Sequence, residues 1–226
     1  MGMVEWKSHE ETVSGYLAVP EKGNGPGVLV LHAWWGLNDF FKGFCDRLAA
    51  AGFVAFAPDL YRGATASSRD EAKNLMSKVD DKTASRDIMN AVRGLQIHPA
   101  VAGKWMGLVG FSLGAFWSLW LAQEHPQNIA AVVLFYGTGE LKGASAQTAF
   151  LGHFAEKDEF EEDAYVRETE RFLRTGAKEV TFHTYPGTGH WFFEQDRPDA
   201  YDAKASQIAW DRTLNFLKAH LSPKGT

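Results

Sequence analysis

Cysteine is nearly absent from the sequence, and basic residues are not in excess. Cys45 is the only cysteine among 226 residues, so the chain cannot form a disulfide within itself. The 23 Lys and Arg stand against 28 Asp and Glu, which gives a formal net charge of −5. Nucleic acids and anionic membranes are bound through clustered Lys and Arg. We therefore expect a packed thiol at Cys45 and a small-molecule partner, with neither nucleic acid nor a membrane as ligand.

Long apolar runs and targeting segments are also missing. No apolar stretch approaches the roughly 20 residues that span a bilayer, and residues 1–6 lack the basic stretch and apolar run of a signal peptide. We expect a cytoplasmic location. Repeats, low-complexity segments and interior linkers are not found either. The length and the 45% hydrophobic content fit one domain over 1–226, with a loose tail at 222–226.

Short apolar runs alternate with stretches of helical period along the chain. This alternation is typical of an α/β protein with a mostly parallel sheet and helices on both faces. The predicted strands are 27–31, 54–57, 106–109, 131–135, 148–151 and 180–185. The predicted helices are 40–51, 83–96, 114–124, 164–175 and 203–220. The segment 12–19 alternates weakly and predicts an antiparallel strand at the sheet edge.

A G-x-S-x-G motif at 110–114 lies directly between a predicted strand and a predicted helix. Such a sharp turn needs glycines on both sides of the serine and lifts the serine into an exposed position. The Leu113 amide, at the start of the helix, is an unpaired donor aimed where an oxyanion would form. The motif predicts Ser112 as a nucleophile, and a purely structural glycine-rich turn is the alternative.

A serine nucleophile needs a base and an orienting acid, which follow it in the order Ser, acid, His. Five histidines follow Ser112: His125, His153, His183, His190 and His220. We predict His190 as the base, because it lies in a loop just past the last predicted strand. The preceding loop contains three candidate acids, Glu156, Asp158 and Glu159. The residues alone give only a weak preference among them. We select Asp158, and a solvated acidic helix start is the alternative.

Several segments together resemble the dienelactone hydrolase family from about residue 12 to residue 220. They read LHAWWGLN at 31–38, APDLYRG at 57–63, GFSLG at 110–114, FYG at 135–137, GHFAEKD at 152–158 and YPGTGH at 185–190. The resemblance implies the α/β-hydrolase fold, a nucleophile–His–Asp triad, ester or lactone hydrolysis, and no metal or cofactor. It also supports Asp158 as the acid and assigns the second oxyanion donor to the backbone N–H of Trp34. The interval 136–148 is too short for a large cap domain.

Three positions depart from the family pattern. The family has a cysteine nucleophile where this chain has Ser112, and an activating glutamate where it has Ala33. We therefore expect activation to depend on His190. Glu194 replaces an arginine that binds a substrate carboxylate, and we expect its negative charge to repel an anionic substrate. The family has a second arginine that binds the substrate carboxylate, and Arg62 lies one residue before its position. A surface salt bridge is the alternative role for Arg62.

Aromatic side chains predicted at the carboxyl edge of the sheet indicate a pocket for a small, neutral ester or lactone, with core packing as the alternative. The pocket candidates, besides Trp34, Arg62 and Glu194, are Trp35, Tyr61, Phe111, Phe116, Tyr136, Trp191 and Phe192. We predict a hydrolase that forms an acyl-enzyme. Thioester or peptide cleavage by the same residues and a non-catalytic ligand-binding role are the alternatives. The sequence leaves open whether the chain is a monomer or a homodimer.

Overall fold

The computed structural model describes residues 1–8 and 11–221, which contain eight strands and six helices. The predicted tail at 222–226 lies outside the described residues. The chain divides into two compact units, Met1–Met106 and Gly107–Thr226. Within the described residues, no helix is both long enough and apolar enough to cross a membrane.

The first unit contains four complete strands in the order β1-β2-β4-β3. These strands are β1 (Gly2–Ser8), β2 (Glu11–Ala18), β3 (Gly25–Leu31) and β4 (Val54–Pro58). β3 and β4 pair in parallel, and β2 pairs antiparallel with both β1 and β4. The predicted antiparallel strand at 12–19 is confirmed as β2, but its placement at the edge is wrong, because β1 pairs along its outer side.

The helices of the first unit are α1 (Asp39–Ala50), α2 (Arg69–Ser77) and α3 (Asp81–Ile97). Cys45 in α1 is buried, as predicted. The sequence reading missed α2, in which Ala72 is the one buried residue, so no apolar stripe indicated a helix. A capping box starts this helix: the Ser68 hydroxyl accepts from the Glu71 N–H, and the Glu71 carboxylate accepts from the Ser68 N–H. The S-x-x-E pattern at residues 68–71 could have predicted the start of α2.

The strand β5 (Val101–Phe111) runs from the first unit into the second. The second unit continues with β6 (Ile129–Phe135), β7 (Ala149–Lys157) and β8 (Glu179–Gly189), in the order β5-β6-β7-β8. β7 pairs in parallel with both β6 and β8, as the α/β alternation predicted. The helices are α4 (Leu113–Glu124), α5 (Asp163–Leu173) and α6 (Ala203–Leu221).

Two features of the second unit bear on the sequence prediction. β7 extends well past the predicted end at 151, because the polar His153 is accommodated in the core. Its ring nitrogens lie 2.8 Å from the Tyr185 hydroxyl and 3.0 Å from the Thr213 hydroxyl. Between β6 and β7, residues 136–148 contain no helix or strand, which agrees with the expected lack of a large cap domain.

Candidate active site

Ser112 is the single residue between the end of β5 and the start of α4. Its backbone has φ 51° and ψ −112°, a conformation that costs a non-glycine residue roughly 1–3 kcal/mol. The Ser112 N–H donates to the Phe135 carbonyl oxygen at 2.9 Å, which holds the turn against β6. The N–H of Leu113 has no hydrogen-bond partner among the described residues. The turn thus presents a half-buried hydroxyl beside a free amide at a helix N-terminus.

Two glycines permit this geometry. A Cβ at Gly110 would collide with the Gly114 carbonyl oxygen and the Ser118 hydroxyl, so Gly110 lets β5 and α4 approach closely. A Cβ at Gly137 would lie 2.5 Å from the Ser112 carbonyl oxygen, so Gly137 lets the chain after β6 pass beside the serine.

We expect Gly137→Ala to lower the free energy of unfolding by about 1–3 kcal/mol, because the added methyl group overpacks the Ser112 turn. Thermal unfolding measures this loss, and the same variant should lose activity because the serine backbone must shift. Gly143→Ala is the matched control, since nothing lies within 4 Å of the Cβ added there. Equal melting temperatures for the two variants would contradict the prediction.

His190 directly follows β8, and its two ring nitrogens contact both other predicted residues. Nε2 lies 2.9 Å from the Ser112 Oγ, and Nδ1 lies 2.8 Å from each carboxylate oxygen of Asp158. The side chains of His190 and Asp158 are only 2% and 3% exposed. The carboxylate draws the ring proton to Nδ1, which leaves Nε2 free to accept the proton of the serine hydroxyl.

Asp158 follows the end of β7, and backbone donors orient its carboxylate. Its Oδ1 accepts from the Phe160 N–H at 2.9 Å and from the Glu161 N–H at 3.0 Å. The side chain therefore closes a turn and does not cap α5, which begins five residues later. Glu156 instead accepts from the Gly187 N–H at 2.9 Å and is exposed.

Three aromatic rings surround the imidazole of His190. Their centroids lie 4.8 Å away for Phe160, 4.9 Å for Tyr136 and 4.9 Å for Trp191. Tyr136 and Trp191 have positive φ angles of 37° and 65°. Phe160 was not predicted as a site residue. The signal that could have indicated it is its aromatic side chain two positions after Asp158. The rings restrict both the motion of the imidazole and its access to water.

A cavity of about 430 Å³ opens beside Phe160. Its lining combines the aromatic side chains of Phe160, Tyr165 and Phe172 with the carboxyl groups of Glu140, Glu161 and Glu168. Burial raises the pKa of Glu161, and the Thr138 hydroxyl donates to its carboxyl group at 2.6 Å. No Lys or Arg lines this cavity in the described part of the chain.

Glu194 was predicted to be a charged residue of the substrate pocket, but the structure buries it. Its side chain is fully buried, and the Tyr136 hydroxyl donates to its Oε1 at 2.8 Å. Burial raises the pKa of this carboxyl group to about 8. The group is therefore mostly protonated at neutral pH. The expectation that its negative charge repels an anionic substrate is wrong.

Three of the predicted aromatic pocket residues have no exposed surface in the structure. Phe111, Tyr136 and Phe192 are fully buried, so none of them offers surface to a substrate. Phe111 stacks on Phe135 with centroids 4.6 Å apart, and Phe192 packs against Tyr185 at 4.9 Å. Core packing therefore replaces the pocket prediction for these three residues. Phe116 on α4 keeps an exposed ring, and its pocket assignment stays a prediction.

The remaining candidates lie in the first unit. Trp34 and Trp35 occupy the turn after β3, are both buried, and make an edge contact with centroids 5.4 Å apart. Tyr61 follows β4, and burial raises its pKa to about 12. Its buried hydroxyl has no hydrogen-bond partner within residues 1–8 and 11–221.

Arg62 forms the salt bridge that was the alternative to substrate binding. Its guanidinium lies 2.6 Å from the Asp87 carboxylate and donates to the Thr12 carbonyl oxygen at 3.3 Å. Asp87 is almost fully buried in α3, so it needs a cationic partner. Asp87 also pairs with Arg86 at 3.4 Å, and the Arg62 side chain stays half exposed.

The chain matches the model of the dienelactone hydrolase family over residues 13–221. It is 34% identical over 228 residues to "Putative carboxymethylenebutenolidase" of Aquifex aeolicus, covering 97% of this chain and 98% of the relative. It is 31% identical over 243 residues to "Probable 2-oxo-3-(5-oxofuran-2-ylidene)propanoate lactonase" of a Bradyrhizobium species, covering 100% and 97%.

Solved structures share the fold. One is a dienelactone hydrolase-like promiscuous phosphotriesterase from metagenomic libraries, with a TM-score of 0.81, 24% identity, and coverage of 97% of this chain and 98% of that chain. The chain has the α/β-hydrolase fold, belongs to the dienelactone hydrolase family and is a carboxylic ester hydrolase of that family.

Proposed function

We propose that the protein hydrolyses small, neutral carboxylic esters or lactones through an acyl-enzyme on Ser112. The observation that carries the proposal is the hydrogen-bond chain from the Ser112 Oγ through His190 to Asp158, with distances of 2.9 and 2.8 Å. His190 Nε2 takes the hydroxyl proton as Oγ attacks the carbonyl carbon, and Asp158 stabilises the resulting imidazolium. The imidazolium then protonates the leaving alcohol.

The negative charge on the carbonyl oxygen needs hydrogen-bond donors. The Leu113 N–H is available for this at the positive end of α4. Loss of one such donor typically lowers kcat by about 10²–10³-fold. In the second half of the reaction, His190 activates a water molecule that attacks the acyl-enzyme and releases Ser112.

Two observations support a neutral substrate. Arg62, the candidate for binding a substrate carboxylate, is paired with Asp87. The cavity beside Phe160 is lined by three glutamates and by no described basic residue, so an anionic substrate would meet carboxyl groups there. The names of two relatives refer to cleavage of lactones that carry a carboxyl group, so they support lactones as a substrate class but not the neutral charge.

We expect a neutral aryl acetate to have a kcat/KM at least about fivefold higher than a carboxylate-bearing lactone, since like charges within a few ångström cost about 1 kcal/mol even in water. Steady-state kinetics on the two substrates at equal ionic strength measures the ratio. Preferred turnover of the carboxylate-bearing lactone would contradict the neutral-substrate proposal without affecting the acyl-enzyme.

A fluorophosphonate probe tests the proposed nucleophile. We expect stoichiometric labelling of the wild-type chain and none of Ser112→Ala, because the probe reacts with a serine whose proton an adjacent base removes. Ser118→Ala is the matched control, since that buried hydroxyl donates to the Gly114 carbonyl oxygen and should leave labelling unchanged. A folded wild type that is not labelled would favour a non-catalytic binding role.

Thioester and peptide cleavage are the remaining alternatives. Kinetics on an ester, a thioester and an amide of the same acyl group separates them from ester cleavage. The proposal predicts the highest kcat/KM for the ester. A preference for the thioester or the amide would keep the acyl-enzyme but reassign the substrate class.

A further inference from the structure

Glu194 is a buried carboxyl group that the proposed reaction does not use. It lies in the turn after His190, where its N–H donates to the Trp191 carbonyl oxygen at 2.9 Å. The Tyr136 hydroxyl donates to Oε1, whereas the buried Oε2 has no hydrogen-bond partner in the described part of the chain. An incompletely paired buried carboxyl group is costly. Its presence beside the site needs a physical explanation.

Tyr136 connects this carboxyl group to the imidazole. Its ring centroid lies 4.9 Å from that of His190, and the ring is fully buried. The Tyr136 N–H donates to the His153 carbonyl oxygen at 2.8 Å, which fixes the backbone directly after β6. Glu194 fixes the other end of the side chain through the hydroxyl. The ring that faces His190 is therefore held at both ends.

Burial favours the uncharged form of the Glu194 carboxyl group. Burial is the largest cause that raises the pKa of Glu194 to about 8, and the negative charge of Asp196 acts in the same direction. The Tyr136 hydrogen bond and the positive charge of Arg197 oppose it. Burial is also the largest cause that raises the pKa of Tyr136, followed by Glu194, so the phenol stays the donor. At neutral pH the pair is a phenol donating to a protonated carboxyl group.

We propose that Glu194 is a positioning residue for His190: its carboxyl group anchors the Tyr136 hydroxyl, and the anchored ring holds the imidazole in line with Ser112. This inference rests on the proposed function, because it takes His190 as the base. A buried carboxylate needs solvation. Ionisation of Glu194 therefore loosens the turn that also carries His190, and kcat falls as the pH rises above about 8.

Kinetics from pH 6 to 9.5 on four proteins test this inference. Glu194→Gln should keep kcat within about twofold at pH 7, because its uncharged amide oxygen still accepts from Tyr136, and it should lack the fall above pH 8. Glu194→Ala and Tyr136→Phe should lower kcat by about 10–100-fold with little change in KM, as expected when a reacting group is misplaced by up to about 1 Å.

Two controls separate positioning from general destabilisation. Tyr185→Phe removes another buried phenol, whose oxygen lies 2.8 Å from His153 Nδ1, and should keep the wild-type kcat. Asp196→Asn removes a neighbouring negative charge that helps to raise the Glu194 pKa, so it should keep the wild-type kcat at pH 6 and shift the fall in kcat to a lower pH. Wild-type kcat in Glu194→Ala would overturn the inference. Equal impairment of Glu194→Gln and Glu194→Ala would overturn the claim that the carboxyl group acts uncharged.

A spectroscopic measurement distinguishes failure of this inference from failure of the proposed function. The imidazole resonances of His190, assigned in ¹⁵N-histidine-labelled protein by their loss in His190→Ala, should shift near pH 8 in the wild type. They should not shift there in Glu194→Gln. Identical titrations in both proteins would overturn the positioning role. A wild-type shift without labelling of Ser112 would reject the hydrolase proposal, and with it the assignment of His190 as the positioned base.

Discussion

Asp158→Asn is expected to lower kcat for a small neutral ester by about 10⁴-fold. In the wild type, both carboxylate oxygens lie 2.8 Å from His190 Nδ1 and draw the ring proton to that nitrogen. An asparagine amide can present a donor at the same place, which favours the tautomer with its proton on Nε2. That tautomer cannot accept the proton of Ser112. Steady-state kinetics, with circular dichroism to check folding, measures the loss.

Glu156→Gln is the matched control for this prediction. Glu156 lies near the end of the same strand, β7, but it accepts from the Gly187 N–H and is exposed. We expect a kcat within about twofold of wild type, as for most exposed surface substitutions. A folded Asp158→Asn variant with near-normal kcat would refute its assignment as the orienting acid.

Glu194→Gln is expected to stabilise the protein by roughly 3–5 kcal/mol more at pH 8.5 than at pH 4.5, since each tenfold difference in proton affinity contributes 1.36 kcal/mol. Burial raises the native pKa of Glu194 to about 8, whereas the ordinary value is 4.5. Between these two pH values the native state keeps a proton that the unfolded chain has lost. The wild type therefore loses stability as the pH rises from 4.5 to about 8. Glutamine does not titrate, so the variant lacks this loss.

Urea unfolding at several pH values from 4.5 to 8.5 measures the effect as the difference between the two stability curves. Glu161→Gln is the control for a smaller effect. Burial also raises the pKa of Glu161, but this residue is less buried than Glu194. Its difference curve should have the same sign and a smaller size. Parallel curves for wild type and Glu194→Gln would show that Glu194 is ionised in the native state.

The Ser112 turn was readable from the sequence because its constraints are local. A strand that reverses into a helix within one residue leaves no room for Cβ atoms at its flanks, and Gly110 meets that requirement. His190 was readable for a similar reason, since it directly follows the last core strand. In both cases a few consecutive residues determine where the side chain lies.

Asp158 was chosen from three acidic residues in one loop, and only the folded loop separates them. The N–H groups of Phe160 and Glu161 turn Asp158 toward His190, whereas Glu156 points to Gly187. These backbone contacts depend on the exact length of β7. The apolar pattern underestimated that length.

The edge strand β1 escaped prediction because no residue from Gly2 to Lys7 is fully buried. A strand that is only half covered shows no continuous apolar run, and its pairing with β2 is a contact that the pattern of either strand alone does not reveal. The helix α2 escaped for the same lack of an apolar stripe.

The sequence by itself determined the α/β order of the elements and the serine turn, because hydrophobic period and glycine requirements act over neighbouring residues. The tertiary structure alone decided the states of the two charged residues that were expected to govern substrate charge. Arg62 is paired with Asp87 on α3, and Glu194 is buried against Tyr136, which directly follows β6. The charge and availability of such side chains depend on what packs around them, which residues distant in the sequence supply.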